Sequence, residues 1–226
     1  NSAGLALSLS GGAGGGSTPA AGGCTRELLK SGVDAYFTAL AAHSASTLQV
    51  ASDVKFTENG KLTMVGEGLW KTAGMAKLKR SALDTQTCSS VTESVVTEGS
   101  ADIVVGVRLT YADQKIKEIE TIVVRAGDYT SNPMTLLGTM SDDWETVLPE
   151  DKRPTRDALM MIVMRYFGQF PAGACNFAQS GCKRYENGFT PGACDLGLSC
   201  SMSMSSGGGS GMMTRLTVLD VEAGIA

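Results

Sequence analysis

Acid–base work at neutral pH falls to histidine, to carboxylates and, when burial tunes them, to phenols. In this chain the candidates of that kind are Glu58, His43, Tyr36 and Tyr111. Glu58 or His43 would act as the base, with Tyr36 or Tyr111 donating a hydrogen bond to a small carbonyl or sugar-like ligand. Trp70, with Glu67 shortly before it, could wall a ligand-binding pocket for a sugar or aromatic ring. Each residue also has a structural use. His43 follows an apolar-periodic stretch, where a cationic side chain meets a helix C-terminus favourably. Glu58 precedes Asn59-Gly60 and could tie that turn by accepting backbone N–H groups. Tyr36 and Trp70 read as core aromatics. The sequence carries no nucleophile elbow, no phosphate-cradling glycine loop between a strand and a helix, and no metal-spaced histidine cluster. Neither a cofactor nor a metal is expected.

Cys24, Cys88, Cys175, Cys182, Cys194 and Cys200 form an even set, and the last four crowd into a Gly/Ser-rich segment. That pattern reads as a disulfide framework of an oxidising compartment. Zinc is the competing reading, but the short spacings, 175/182 and 194/200, are not of the CxxC type, and the single histidine is distant. Cys24 is expected to pair with Cys88, and the other four among themselves. The chain begins at Asn1 rather than Met, as a mature chain freed of its signal peptide would and as a fragment would too. The expected location is therefore secreted, extracellular. With 19 Lys/Arg against 23 Asp/Glu and no basic run, nucleic acid and anionic membrane are excluded as main partners. Every apolar run falls well short of the ~18 residues of a membrane span.

The elements that must position these residues follow from periodicity. Residues 1–23 join the alternation Leu5, Leu7, Leu9 to a Gly-rich stretch, a tail able to add a strand to a sheet edge. Thr25 is placed to cap a helix reaching about Ala42, with Leu29, Val33, Tyr36, Phe37 and Leu40 on one face. A short helical piece is expected over 46–50. A strand then runs from Asp53 through Phe56 and Glu58, turns at Asn59-Gly60 and returns over 61–65. A helical region is predicted from Trp70 to about Leu83, followed by strands over 91–98, 101–111 and 115–125. On the last strand Ile116, Glu118, Glu120 and Ile122 share a face suited to solvent or to a sheet-to-sheet dimer contact. The stretch 126–154 reads as an irregular linker that docks through Trp144. Thr155 caps a second helix over 156–170, with Leu159, Ile162, Val163, Tyr166 and Phe170 as its buried stripe. It is the counterpart of the first: Tyr166-Phe167 echoes Tyr36-Phe37, and Glu186-Asn187-Gly188 echoes Glu58-Asn59-Gly60. A Gly/Ser/Met insertion over 201–213, a strand-like 216–219 and a turn through Glu222-Ala223-Gly224 follow.

Helices followed by a strongly bent antiparallel sheet, in this order, resemble the cone-shaped α+β fold of the nuclear transport factor two-like superfamily. That group includes SnoaL-like proteins, ketosteroid isomerase and scytalone dehydratase. DAYFTALAAH, VKFTENG, GEGLWKT and KIKEIETIVVR look like the first copy of a tandem-copy secreted fungal and bacterial group of unknown activity. CKRYENG and LTVLDVEAGIA look like its second copy. The resemblance implies tandem cone-shaped domains, each a helix plus a bent antiparallel sheet. The boundaries would be a tail over 1–23, a first cone over 24–125, a linker over 126–154 and a second, truncated cone over 155–226. Enzymes of this fold hold their acid–base group in the cavity between helix and sheet, so the cone interior would receive Tyr36, His43, Glu58, Trp70 and Tyr111. The second copy is too short for its last one or two strands, so either it is truncated or another segment covers the edge that an unfinished sheet leaves. Residues 5–10, from this chain or a neighbour, are one filler. The expected function is a disulfide-stabilised binding module or subunit of an extracellular assembly, a homo-oligomer acting through association. The alternative is a cofactor-free lyase or isomerase working in the first cone.

Overall fold

Thr25 begins the ordered architecture in the computed structural model, which describes residues 23–128, 131–141, 144–168, 185, 187–188 and 218–226. Its hydroxyl accepts the Leu28 N–H at 3.1 Å and so caps helix α1, Arg26–Ala41. Leu29, Val33, Tyr36, Phe37 and Leu40 are buried on one face of that helix, as their spacing predicts. His43, in the left-handed region at φ 53, turns the chain away at its end. Residues 46–50 do not continue as helix. The Leu48 N–H closes a turn on the Ala45 carbonyl at 3.0 Å, in a stretch whose Ser and Thr side chains favour turns over helix.

Six strands form one mixed sheet: β1 Val50–Glu58, β2 Lys61–Thr63, β3 Ala73–Asp84, β4 Ser89–Glu98, β5 Ala101–Ala112 and β6 Lys115–Val124. The order is β2-β1-β6-β5-β4-β3. β1 runs parallel to β6, and the other neighbours are antiparallel. Register shifts in three of these pairings bend the sheet. Its inner face, carrying Phe56, Val105, Val107, Leu109, Ile119 and Val123, closes on the buried side of α1. A helix laid into a curved sheet is the α+β cone that the resemblance implies.

The region expected to be helical from Trp70 to Leu83 is instead a 3-10 turn, Gly68–Lys71, followed by the 12-residue β3. Its Ala, Met, Lys, Leu and Arg residues are good helix formers. Leu78, Arg80 and Ala82 are nevertheless buried while Met75, Lys77 and Lys79 are exposed, a period of two. Pairing along the whole of β4 overrides propensity. On β6, the shift between Thr110 and Tyr111 resets the parity, so Ile116 joins the inner core while Ile122 stays exposed on the outer face.

Residues 126–154 are less irregular than expected. Asn132 caps a short helix α2, Pro133–Leu137, with proline in its first turn. Leu136 is fully buried there, against Leu78, Val95, Val104 and Val124 on the outer face of the sheet, and Tyr185 packs onto the same cluster. The Trp144 ring lies over the Arg80 guanidinium at 5.3 Å.

Thr155 caps helix α3, Arg156–Gly168, by accepting the Ala158 N–H at 3.1 Å. Leu159 is buried as expected, but Ile162 is 52% exposed. The run Leu159–Met164 is apolar without interruption, so no polar face fixes the rotation of this helix. At the C-terminus Val218, Leu219 and Asp220 are buried, and Asp220 bridges to Ile225 across a turn.

Cys24 and Cys88 form a disulfide, Cα to Cα 5.5 Å, between the start of α1 and the β3–β4 turn. Cys175, Cys182, Cys194 and Cys200, the tail strand, the insertion and the side chains of Tyr166, Phe170 and Glu186 lie outside the described residues. The two Asn-Gly pairs share one backbone conformation, with φ 48 and 76 at Asn59-Gly60 and φ 49 and 83 at Asn187-Gly188. Asn59 exchanges side-chain hydrogen bonds with the Val123 backbone, and the Asn187 carbonyl accepts the Asn132 N–H at 2.8 Å. Among the described residues, no helix is long and apolar enough to cross a membrane.

Candidate functional site

α1 delivers Tyr36 and the 3-10 turn delivers Trp70 to the same point of the cone interior, where the rings meet edge to face at 5.4 Å. Both are within 1% of complete burial. The Tyr36 hydroxyl lies 3.4 Å from Thr121 Oγ1. The Trp70 indole N–H, without an acceptor at full hydrogen-bond geometry, faces the same hydroxyl. Burial pushes the Tyr36 phenol up to about 12, so it stays protonated at neutral pH beside Thr121 Oγ1. Glu58 stands at the rim. Its Oε2 accepts the Leu69 N–H at 2.8 Å, an orphan donor at the start of the 3-10 turn. The carboxylate also occupies the space beside Gly68, where a Cβ would come within 2.5 Å of it. Glu58 thus ties the Gly68-Leu69 turn, and the Asn59-Gly60 turn expected to need it is held by the Asn59 side chain itself.

The other candidates are dispersed. His43 is exposed beyond the C-terminal end of α1, with Nε2 2.6 Å from the Ala73 carbonyl, to which it donates. Tyr111 lies beneath Gly32, one helical turn before Tyr36; a Cβ at Gly32 would come within 2.0 Å of its hydroxyl. That hydroxyl is buried without a partner, and burial pushes its pKa well above the ordinary phenol value. Glu67 is ion-paired with Lys71 at the surface, while the Trp70 ring is buried. Tyr36 and Trp70 therefore meet, Glu58 ties the turn that carries Trp70, and His43, Glu67 and Tyr111 do not join them. Among the described residues no group of three metal-ligating side chains converges.

An open cleft of about 180 Å³ lies between α1 and β3, lined by Arg26, Lys30, Asp34, Lys79, Ser81 and Glu145 among others. Its cations are already engaged: Lys30 with Glu145 at 2.6 Å, Lys79 with Asp34, and Arg26 with Asp220.

That last pair belongs to the most deeply buried charge cluster of the described chain. Asp220 is 0% exposed and Asp84 1%. Arg26 Nη1 donates to Asp220 Oδ1 at 2.8 Å and to Oδ2 at 2.9 Å. Arg156 grips Asp84 as a fork, Nη1 to Oδ1 at 2.9 Å and Nη2 to Oδ2 at 2.8 Å. The backbone repeats the exchange. The Leu83 N–H donates to Asp220 Oδ2 at 2.9 Å, and the Leu219 N–H donates to Asp84 Oδ2 at 3.1 Å. Each carboxylate also accepts the N–H three residues on, Thr87 for Asp84 at 3.1 Å and Ala223 for Asp220 at 3.0 Å. Each arginine is the first residue of a helix capped by the threonine before it, Thr25-Arg26 and Thr155-Arg156. Each aspartate follows a buried leucine, Leu83-Asp84 and Leu219-Asp220. The two arms thus correspond in their arginine, their carboxylate and two of the amides, while Arg156 uses both terminal nitrogens where Arg26 uses one and Asp84 also accepts the Gln86 N–H. Burial alone would oppose ionisation of Asp84, but Arg156 and the Leu219 and Thr87 amides outweigh it and hold the carboxyl below the usual aspartate range.

Reading the sequence for catalytic side chains passed over this cluster. Its marks in the sequence are Thr25-Arg26 and Thr155-Arg156, each ahead of an apolar-periodic stretch, and the pairs Leu83-Asp84 and Leu219-Asp220.

No family model matches the chain, and no curated protein matches it. Among solved structures it is similar to a de novo designed protein with a curved β-sheet, at 14% identity and a TM-score of 0.38. That likeness covers 52% of this chain and 97% of the other. It is similar also to a ketosteroid-isomerase-like protein from Kribbella flavida, at 16% identity and TM-score 0.38, over 55% of this chain and 93% of that one. A third is an NTF-2 like protein of unknown function from Burkholderia xenovorans, at 12% identity and TM-score 0.36, over 48% and 91%. These likenesses extend to about half of the chain, the part that holds α1 and the curved sheet, and concern the fold alone.

Proposed function

We propose that this protein works by association, as a secreted tandem subunit of a binding or assembly complex whose first cone is a scaffold and not a reaction vessel. The observation that carries this reading is the reciprocal arginine–aspartate clasp. Buried charges of this kind are satisfied only when both ends of the chain are docked, which is the chemistry of an interface. The correspondence of the two arms supports a duplicated unit, and the Cys24–Cys88 disulfide suits an oxidising compartment. The filled interior weighs against the lyase or isomerase alternative. Tyr36 and Trp70 are packed against each other, Glu58 is occupied by the Leu69 amide and His43 by the Ala73 carbonyl. Sedimentation of the full chain from low to high micromolar concentration tests the proposal. Masses at multiples of 23.4 kDa are expected. A one-chain mass throughout, joined by turnover of a small carbonyl ligand that Glu58→Gln abolishes, would replace it with the enzymatic reading.

A further inference from the structure

We propose that the cleft between α1 and β3 is a docking groove for an extended, acidic peptide segment of a partner protein, which adds as a strand to the β3 edge. The inference rests on the association reading and gives it a surface. β3 ends the sheet, so one side of its backbone pairs with β4 while, among the described residues, no strand lies on the other. Which groups face that open side follows from one bond. The Leu83 N–H goes to the Asp220 carboxylate at 2.9 Å, so the opposed residues Leu83 and Ser90 form one of the pairs that exchange no ladder hydrogen bonds. The register holds without a shift from Leu78 to Asp84, and its alternation turns the N–H and C=O groups of Lys79 and Ser81 outward as well. The 2.9 Å approach of Ser81 Oγ to Thr92 Oγ1 agrees, because side chains come closest in such pairs. An open edge of this kind is a template for another extended chain unless charge or a bulge blocks it. Lys79, the residue placed to block it, lies back over the Phe37 ring at 5.9 Å and pairs with Asp34 on α1. The cleft of about 180 Å³ follows the edge from Ala76 to Leu83. The contacts already made there show the charge it takes. Two acids reach its cations from other segments, Asp220 to Arg26 and Glu145 to Lys30 at 2.6 Å. Asp220 is fully buried and stays. Lys30 and Glu145 keep 57% and 60% of their side-chain surface in water, and so exposed a pair is weak enough for an incoming carboxylate to take the place of Glu145. Main-chain bonds to Lys79 and Ser81 would then supply affinity, and an acidic side chain facing Lys30 the specificity.

Titration of the full chain with a short fluorescein-labelled peptide of alternating valine and glutamate tests this, read by anisotropy and by amide chemical shifts. Saturable binding is expected, with the Lys79 and Ser81 amides among those that move most. An added strand uses one edge of its own backbone, so N-methylating the peptide amides along one edge should abolish binding and along the other should leave it unchanged. The same peptide with lysine for glutamate should bind about tenfold more weakly. Ser81→Pro removes an outward N–H and no bond to β4, and should weaken binding about tenfold with little change in the melting temperature. If that variant fails to fold, the methylated peptides still decide. No saturable binding, equal binding of both methylated peptides, or equal binding of the lysine peptide overturns the proposal. So does slow hydrogen exchange at the Lys79 and Ser81 amides of the free chain, which would mean that a segment of the chain itself already covers the edge. The two readings fail separately. Masses at multiples of one chain without peptide binding overturn this groove and leave association through another surface. Peptide binding by a protein that stays at the mass of one chain supports the groove and removes self-assembly as the working state.

Discussion

Replacing Asp84 by asparagine should cost about 3 kcal/mol of stability at neutral pH, and that cost should shrink in acid. The side chain is 1% exposed and accepts from Arg156 twice and from the Gln86, Thr87 and Leu219 amides. Removing one partner of a buried ion pair costs about 3–5 kcal/mol, because the other charge is stranded. Here the stranded guanidinium keeps 30% of its side-chain surface in water and recovers part of its hydration. Asparagine also retains one oxygen for the Gln86 and Thr87 amides, so the low end of that range applies. For a chain of this length each kcal/mol moves Tm by about 2–4 °C, giving a drop of about 6–12 °C. The pH dependence follows from the depressed carboxyl. A group whose pKa is lower folded than unfolded contributes its full stability above the unfolded value and loses it as pH falls through the folded one. The gap between wild type and Asp84→Asn should therefore be widest above about pH 5 and narrow steadily below the ordinary aspartate value of 3.8. Urea unfolding at pH 7 and pH 3 measures both. A loss under about 1 kcal/mol at pH 7, or a gap unchanged at pH 3, would refute a paired, ionised Asp84 as the anchor of the C-terminal segment.

Two further outcomes are expected. Removing the Cys24–Cys88 bond, which spans a sequence separation of 64, by the double change Cys24→Ala with Cys88→Ala should lower stability by about 4 kcal/mol on the loop-closure account; urea midpoints of this variant and the wild type, both without reductant, check it, and a change under about 1 kcal/mol would count against it. Tyr111→Phe should be neutral or stabilising, because it removes a buried hydroxyl that has no partner, whereas Gly32→Ala should cost about 1–3 kcal/mol by driving a Cβ into that ring; thermal melts of both variants decide, and a stabilised Gly32→Ala would show the ring free to move.

What the sequence made legible was whatever repeats at a fixed period or sits at a fixed offset. α1 was readable because Leu29, Val33, Tyr36, Phe37 and Leu40 share one face behind a threonine cap. β4, β5 and β6 were readable because valine and isoleucine alternate with polar residues between short turns. β3 was not, since its residues favour helix and only the strand beside it selects extension. The rotation of α3 was hidden by a run of apolar residues with no polar face. At the candidate site, Glu58 could be placed at the rim from its parity with Phe56, but its partner, the Leu69 amide, comes from a turn eleven residues away whose geometry no local pattern gives. The clasp was hidden for a different reason. Its partners Arg26 and Asp220 lie 194 residues apart, and a buried charge pair has no periodicity of its own.

The chemistry of the clasp also indicates what it is for. Apolar residues of equal volume are often as stabilising as a buried ion pair, or more so, since two charges must be taken out of water to make the pair. A surface meant only to hold the chain's ends together would do as well with leucines, like the Leu136 cluster on the outer face of the same sheet. Arginine against aspartate, with backbone amides completing the carboxylates, gives something that cluster does not: a wrong register or a wrong partner leaves two carboxylates and two guanidiniums buried and unmatched. Bidentate geometry tightens the requirement at the Arg156 arm, where a lysine could not reproduce the fork. The four partners thus fix the register in which the C-terminal segment docks on the start of α1 and the end of β3, since only that register matches every buried charge.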